Sequence, residues 1–247
     1  MKLSERLAAA ATLVRDGVRI VDVGTDHAYL PAELVMSGKA THAIACDIGE
    51  GPLDNARETV ERFSLGGRIE LRLSDGLEKV SPDEVDDVLI CGMGGELIAR
   101  ILAASDWVRD GEKHLVLQPM SPADDLRVWL CENGFCVKNE LVVREVRRLY
   151  IVMDAVYDGK KRVCTPEYPY IGALLPLDGE RKEYLERQLR RVNRHADSLL
   201  NTDSHFGERE RLLGGNWRIR PAAGMYFKRE RAPILTEMPN DIISYVR

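Results

Sequence analysis

The sequence predicts an α/β fold, a doubly wound sheet of five parallel strands closed by an antiparallel pair, followed by a smaller helical domain. Three observations predict it. Short apolar runs alternate with segments of helical period, those runs end in Asp or Gly, and the charge balance reverses near residue 159.

The opening "MKLSERLAAAATLV" sets Leu3, Leu7, Ala11 and Val14 on one stripe, an amphipathic helix rather than the apolar core of a signal peptide. "VRIVDVG" is a strand ending in a turn, and "LPAELVMSGK" has helical spacing at Leu30, Leu34 and Val35 with Gly38 as a stop. "THAIACDI" is the second strand. In "LDNARETVERF" a helical face carries Leu53, Ala56, Val60 and Phe63, and "RIELRLSDG" is the third strand. The alternation continues through "VDDVLICGMGG", the helix "ELIARILAA" and the fifth strand "HLVLQP". Ser121 is then expected as an N-cap, with Pro122 at the first helical position of a helix through "ADDLRVWLCENG" to Gly134. "VKNELVVREV" and "LYIVMDAVY", separated by two arginines, read as an antiparallel hairpin.

The pattern changes at about Lys160. A proline-containing linker, "GKKRVCTPEYPY", leads to Leu185, Leu189, Val192, Ala196 and Leu199, an apolar seam of two heptads that asks for a partner helix. Arg187, Arg190, Arg191 and Arg194 form a second stripe on the same helix. "SHFGERERLL" suggests a short return helix, whereas residues 216–247 show no period. The expected units are therefore residues 1–159, residues 160–215 and an unassigned tail, 216–247.

Of the 247 residues, 45% are hydrophobic and 30% charged, and no apolar run approaches the roughly 18 residues of a membrane span. The expectation is a cytoplasmic protein with no membrane contact. Five scattered cysteines without a C-x-x-C pair suggest reduced thiols, with neither a disulfide framework nor a metal site. The net charge of −5 divides into −10 up to residue 159 and +5 beyond it, so a polyanion would meet a local basic patch rather than the whole surface.

Four strand ends carry the chemistry. The first reads Asp22-Val-Gly24-Thr-Asp26-His-Ala28, which keeps the acid and the first glycine of the acid-x-Gly-x-Gly-x-Gly turn common in S-adenosylmethionine (SAM) methyltransferases of the Rossmann-like class. Asp26 replaces the middle glycine; a turn aspartate capping the next helix is the alternative reading. Asp47 stands 23 residues after Gly24, near the interval at which an acid meets a ribose. Asp75 and Gly76 end the third strand and "GMGG" the fourth, where missing side chains let a ligand lie against backbone. The NAD fingerprint G-x-G-x-x-G is absent, and acid-rich strand ends suit a cofactor that carries a sulfonium and an ammonium better than one with phosphates.

"VDVGTDHAYLP", "ACDIGEGPLDNA", "ICGMGGELI" and "LVLQP…LRVWL" closely resemble the TrmK family of bacterial methyltransferases that modify N1 of adenine 22 in tRNA. The resemblance runs from Leu3 to about Tyr157. It implies a Rossmann-like class I methyltransferase sheet, a C-terminal coiled-coil-like domain that meets tRNA, and SAM as cofactor. It further implies a cofactor pocket lined by Asp22, Gly24, Asp26, His27, Asp47, Asp75, Gly76, Gly92, Met93 and Gly94, with Asp26 catalytic. Tyr29, Gln118 and Pro119 would face the substrate base, and Arg187, Arg190, Arg191 and Arg194 the tRNA phosphates. A solvated face interleaved with Glu183 and Glu186 is the alternative for those arginines, and local packing is the alternative for His27. Met120 stands where the family has asparagine, and the second helix of the coiled coil is short. The other functions to weigh are methylation of another RNA base or small molecule, and binding of SAM and RNA without turnover. The residues leave the oligomeric state open and are compatible with a monomer.

Overall fold

Apolar side chains that alternate along each central strand feed two separate cores, one on each face of a single sheet. The computed structural model describes residues 2–165, 167–173 and 179–200. In chain order the elements are α1 (Glu5–Leu13), β1 (Val18–Val23), α2 (Tyr29–Met36), β2 (Ala40–Asp47), α3 (Glu50–Arg62), β3 (Ile69–Leu73), β4 (Asp87–Met93) and α4 (Gly95–Ala103). There follow β5 (His114–Pro119), α5 (Asp124–Glu132), β6 (Phe135–Glu145), β7 (Arg148–Tyr157), α6 (Tyr168–Ile171) and α7 (Gly179–Leu200). The expected return helix and the tail lie outside the described residues.

The sheet order is β3-β2-β1-β4-β5-β7-β6. Strands β1 to β5 pair in parallel and β7 joins β5 antiparallel, as the sequence predicts. Ile20, Leu89, Val116 and Val152 pack on one face with Leu34 and Val35 of α2 and Ala56 of α3. Val21, Ile90, Leu115, Leu117 and Met153 pack on the other with Ile98 and Leu102 of α4 and Leu126 and Leu130 of α5. A one-residue slip in any central strand would exchange these faces, which pins the register.

Helix α1 lies on the face of α2 and α3. Ala10 and Val14 are buried, while Leu3, Leu7 and Ala11 of the expected stripe are half-buried against the same core. It also contacts β5, β6 and β7. That crossing brings Arg6 near the carboxyl end of the sheet.

The compositional change near residue 159 is not a break in packing. Tyr184, one residue before the expected seam, is buried in the core beneath α5, and Leu185 packs beside it. A buried ion pair, Arg127 Nε to Glu140 Oε1 at 2.7 Å, sits under this junction. Arg127 also donates to the Pro169 carbonyl at 2.8 Å, and the Ala173 amide donates to Glu140. Gly172, at φ +55°, is needed there, because a Cβ would lie 1.9 Å from Glu140 Oε2. Further out, Arg144 pairs with Glu180 and Glu183, and Arg191 with Asp124.

Removing one partner of a buried pair leaves an unpaired charge, which costs about 3–5 kcal/mol. Arg127→Ala is therefore expected to lower the unfolding free energy by about that amount. Arg127→Met combined with Glu140→Leu is expected to recover most of it, since both charges then leave together. Urea denaturation of the two variants measures both effects.

Candidate functional site at the carboxyl ends of the strands

The turn after β1 is built from left-handed residues. Gly24 (φ +79°), Asp26 (φ +44°) and Ala28 (φ +52°) alternate with Thr25 and His27, and the last two left-handed positions carry side chains. A non-glycine residue held there costs on the order of 1–3 kcal/mol, and such strain concentrates at functional positions. Aspartate tolerates it better than most. Gly24 and Thr25 both donate their amides to the Cys46 carbonyl, at 2.8 and 2.9 Å, which ties the turn to β2. A Cβ on Gly24 would lie 2.3 Å from Met93 Cε, so Met93 of β4 takes the space that this glycine leaves.

Asp22 ends up buried below the turn, accepting a hydrogen bond from Thr25 Oγ1 at 2.7 Å. Burial pushes its carboxyl up to about 6, and the charge of Asp47 adds to the rise. Asp47, half-buried at the end of β2, accepts from the Gly49 amide at 2.9 Å through one oxygen. Its other oxygen has no partner among the described residues. Beside it Ile48 is 69% exposed, an apolar plate next to an acid.

At the end of β3, Ser74 donates to the Gly76 carbonyl and accepts from the Lys79 amide, which leaves Asp75 exposed at the rim. Gly76 (φ +54°) packs against Ile101, 3.0 Å from where its Cβ would stand. At the end of β4, Gly92 has φ +87° and Gly94 precedes α4. Ser121 was expected to cap α5. Its Oγ instead accepts from the Gly95 amide at 2.8 Å, at the head of α4, and α5 starts at Asp124 without a side-chain cap. The parallel strands bring the loop after β5 alongside α4, so the serine satisfies its neighbour's helix.

Asp26, His27 and Tyr29 form a cluster at the mouth. The Asp26 side chain is 65% exposed, and its Oδ2 lies 3.6 Å from His27 Nε2. The His27 and Tyr29 rings stack with centroids 5.1 Å apart and planes 7° from parallel. A stacked aromatic pair thus stands beside an exposed carboxylate, with His27 the nearer ring.

Two expected substrate contacts are placed differently. Gln118 is fully buried, with Oε1 accepting from Arg6 Nη1 at 3.0 Å and Nε2 donating to the Pro119 carbonyl at 2.8 Å. Both ends are occupied inside the protein, so Gln118 positions its neighbours rather than touching a base. Pro119 is likewise buried, and the exposed residue of that loop is Met120. Arg6 itself was missed. Nothing in "LSERLAAAA" separates an arginine aimed at a strand end from one on a solvated helix.

The arginines of α7 divide. Arg191 bonds Asp124 Oδ2 at 2.8 Å and stacks over Tyr170, so it ties α7 to α5 rather than waiting for a phosphate. Arg187 is shared between Glu183 and the Arg147 carbonyl. Arg190 has a longer approach to Glu186, 3.8 Å, and among the described residues Arg194 donates to the Arg190 carbonyl. All four stand with Gln188 on one stretch of α7. Among the described residues no group of His, Cys, Asp and Glu could hold a metal ion, and no helix is long and apolar enough to cross a membrane.

Comparison with known proteins meets this geometry. Residues 3–153 match the family described as a methyltransferase domain. The tRNA (adenine(22)-N(1))-methyltransferase of Bacillus subtilis is 39% identical over 166 residues, 64% of this chain and 70% of that protein. The crystal structure of the B. subtilis m1A22 tRNA methyltransferase TrmK superposes with a TM-score of 0.75 at 30% identity, covering 85% of this chain and 93% of that one. The chain belongs to the TrmK family. M. capricolum TrmK, solved with S-adenosylhomocysteine (SAH), superposes with a TM-score of 0.73 at 27% identity over 87% of this chain and 94% of its own.

The residues present fit the cofactor expected of a TrmK protein. Asp22 is an ionisable carboxylate below the turn for an ammonium, Asp47 has an uncommitted oxygen for a ribose, and Ile48 offers an apolar plate for an adenine. Because the Asp22 carboxyl titrates at about 6, its anion is present above that pH and is lost as the pH falls through it. SAH affinity is therefore expected to be level above about pH 7 and to fall about tenfold per unit below about pH 6. Calorimetric titrations from about pH 5 to about pH 8 measure it, and Asp22→Asn is expected to bind weakly with no slope in that range.

Proposed function

We propose that this chain transfers the methyl group of SAM to N1 of an adenine in tRNA, at position 22 by kinship with the TrmK enzymes. The observation that carries the reading is the left-handed Asp26 at the end of β1, exposed beside the stacked His27 and Tyr29 and next to the cofactor-binding strand ends.

Bound SAM supplies an electrophilic methyl group on a sulfonium. Adenine N1 is unprotonated near neutral pH, so the protein has no proton to remove before attack. Its tasks are alignment and compensation of the positive charge that the ring acquires. In this reading the Asp26 carboxylate accepts a hydrogen bond from the adenine N6 amino group and faces the developing charge. The His27 and Tyr29 rings receive the base after it leaves the stack of folded RNA. The turn holds Asp26 in a conformation that α2, starting immediately after Ala28, keeps from relaxing. Helix α7 supports the RNA side, because Arg187 meets the β6–β7 turn and Arg191 meets the start of α5, both beside the same edge of the sheet.

The deciding assay is transfer of labelled methyl from SAM to unmodified bacterial tRNA, followed by nucleoside mass spectrometry. Label in 1-methyladenosine is the expected outcome; label in another nucleoside overturns the adenine assignment. In the same assay Asp26→Ala is expected to lower turnover about 100-fold or more, the scale of one well-placed electrostatic group. The tRNA dissociation constant should stay within about threefold, since the N6 hydrogen bond is one contact among many to the RNA, whereas the ring charge that Asp26 faces develops only in the transition state.

Of the four arginines, Arg190 and Arg194 have the looser ties among the described residues and are assigned to phosphate contacts. Arg190→Glu with Arg194→Glu is expected to weaken tRNA binding and to reduce the slope of log affinity against log salt by about 2. Filter binding across a salt series reads both. An unchanged slope would return these two arginines to a solvated face.

A further inference from the structure

The β6–β7 hairpin closes through a two-residue turn, Val146 and Arg147, between the paired ends Glu145 and Arg148. Val146 has φ +56°, and Arg147 does not share its left-handed conformation. A tight hairpin with positive φ at the first central position alone prefers glycine there. Valine is among the least suited residues, because its branched Cβ crowds the backbone. Packing does not compensate, since Val146 is 89% exposed. A strained turn therefore holds an apolar group out in solvent, and such strain clusters at functional positions.

The register puts this tip beside the candidate site. Strand β7 pairs with β5 from Val156 opposite His114 to Met153 opposite Leu117, which sets Ile151 level with Pro119, the last residue of β5. From Ile151 the strand runs back to Arg148, so the turn stands roughly 10 Å beyond the carboxyl end of β5. Glu145, the residue before the tip, accepts from Arg6 Nε at 3.3 Å, and Arg6 Nη1 is 3.5 Å from where a Cβ on Gly92 of β4 would stand. The tip is thus separated from the end of β4 by one arginine side chain. Toward α7, the Arg147 carbonyl accepts from Arg187 Nη1 at 3.4 Å, and Arg144 bonds Glu180 and Glu183. The turn therefore bridges the strand ends and the basic helix.

Its charges are also uncommitted. Arg6 and Arg144 are paired with carboxylates, but the side chains of Arg147 and Arg148 are exposed and have no partner among the described residues. An edge that carries Asp22, Asp26, Asp47 and Asp75 repels the phosphates of an RNA strand that brings a base to it. Unpaired cations on the approach offset that repulsion, and arginines already neutralised by glutamates do so poorly. A nucleotide presents a phosphate together with an apolar base face, which matches two free guanidinium groups around one exposed valine.

We propose that the β6–β7 turn is a substrate-positioning element, in which Arg147 and Arg148 pair with phosphates flanking the target adenine and Val146 packs against the face of a neighbouring nucleotide. The proposal rests on the reading of the chain as a tRNA methyltransferase. It extends the RNA surface from α7 to the strand ends and gives the strained valine a task, to hold the local strand while the adenine leaves the stack.

Variants of the full chain test it with unmodified bacterial tRNA. Arg147→Glu with Arg148→Glu is expected to reduce the slope of log affinity against log salt by about 2, while SAH affinity by calorimetry stays within about twofold. Val146→Gly removes the apolar tip and suits the turn, so the melting temperature is expected to be unchanged or raised. In the same variant kcat/KM for tRNA methylation is expected to fall about 10-fold, chiefly in kcat, because the base is bound but poorly aligned. Val146→Ile keeps an apolar group and is expected to retain at least about half of the activity.

An unchanged salt slope in the arginine variant, or full kcat/KM in Val146→Gly, overturns the proposal. A lower melting temperature in Val146→Gly, with a loss of activity that Val146→Ile shares, assigns the residue to the structure of the turn and also overturns it. If the unmodified chain neither binds tRNA nor transfers methyl to it, the tRNA reading fails and the proposal falls with it. A chain that methylates tRNA and whose variants match it loses the proposal alone.

Discussion

Strands β1 and β4 lie side by side and send the chain to opposite faces of the sheet. After β1 the chain enters α2 on one side, packed through Leu34 and Val35; after β4 it enters α4 on the other, packed through Ile98 and Leu102. At a divergence of this kind a doubly wound sheet has its ligand crevice, outside the carboxyl ends of the two strands. The candidate site is arranged around that divergence. Asp22 sits at its floor, Met93 fills the space beside Gly24, and the left-handed turn raises Asp26 to its rim.

A crevice lined with carboxylates is electrostatically one-sided, and the remaining elements offset this. Helix α1 crosses the sheet to bring Arg6 to the end of β5, and the β6–β7 hairpin supplies Glu145 to hold it. Helix α7 brings arginines toward the same edge, anchored below by the buried pair of Arg127 and Glu140 and by Tyr184. The acidic part that suits a cationic cofactor and the basic part that suits a polyanion are separated in sequence but joined through one core.

Much of the frame was legible in the chain. The five parallel strands, their helices and the closing hairpin follow from apolar period alone, because strands buried on both faces are nearly continuous apolar runs and the helices between them show one-sided stripes. The acids and glycines of the candidate site were visible because each stands at the end of such a run. What was misread involves side chains whose partner lies far away in sequence. Ser121 looks like a cap for its own helix and caps α4, while Gln118 looks like a polar group at a pocket mouth and is buried. Arg191 looks like one of four equivalent cations and is paired with Asp124, 67 residues away. Arg6 gave no signal at all, since its role depends on which strand ends its helix crosses.

The sequence by itself determined the fold class, the order of the elements and the chemical character of each strand end. These are local properties, set by hydrophobic period, by the backbone freedom of glycine and by where acids follow apolar runs. Only the tertiary structure decided which polar side chains are committed to holding the protein together and which still have donors or acceptors to offer a ligand. That division depends on contacts across 26 to 139 residues of chain, between groups that local spacing does not relate. Asp26 and Arg6 show the physical reason, since one is exposed by a strained turn and the other is gathered in by packing.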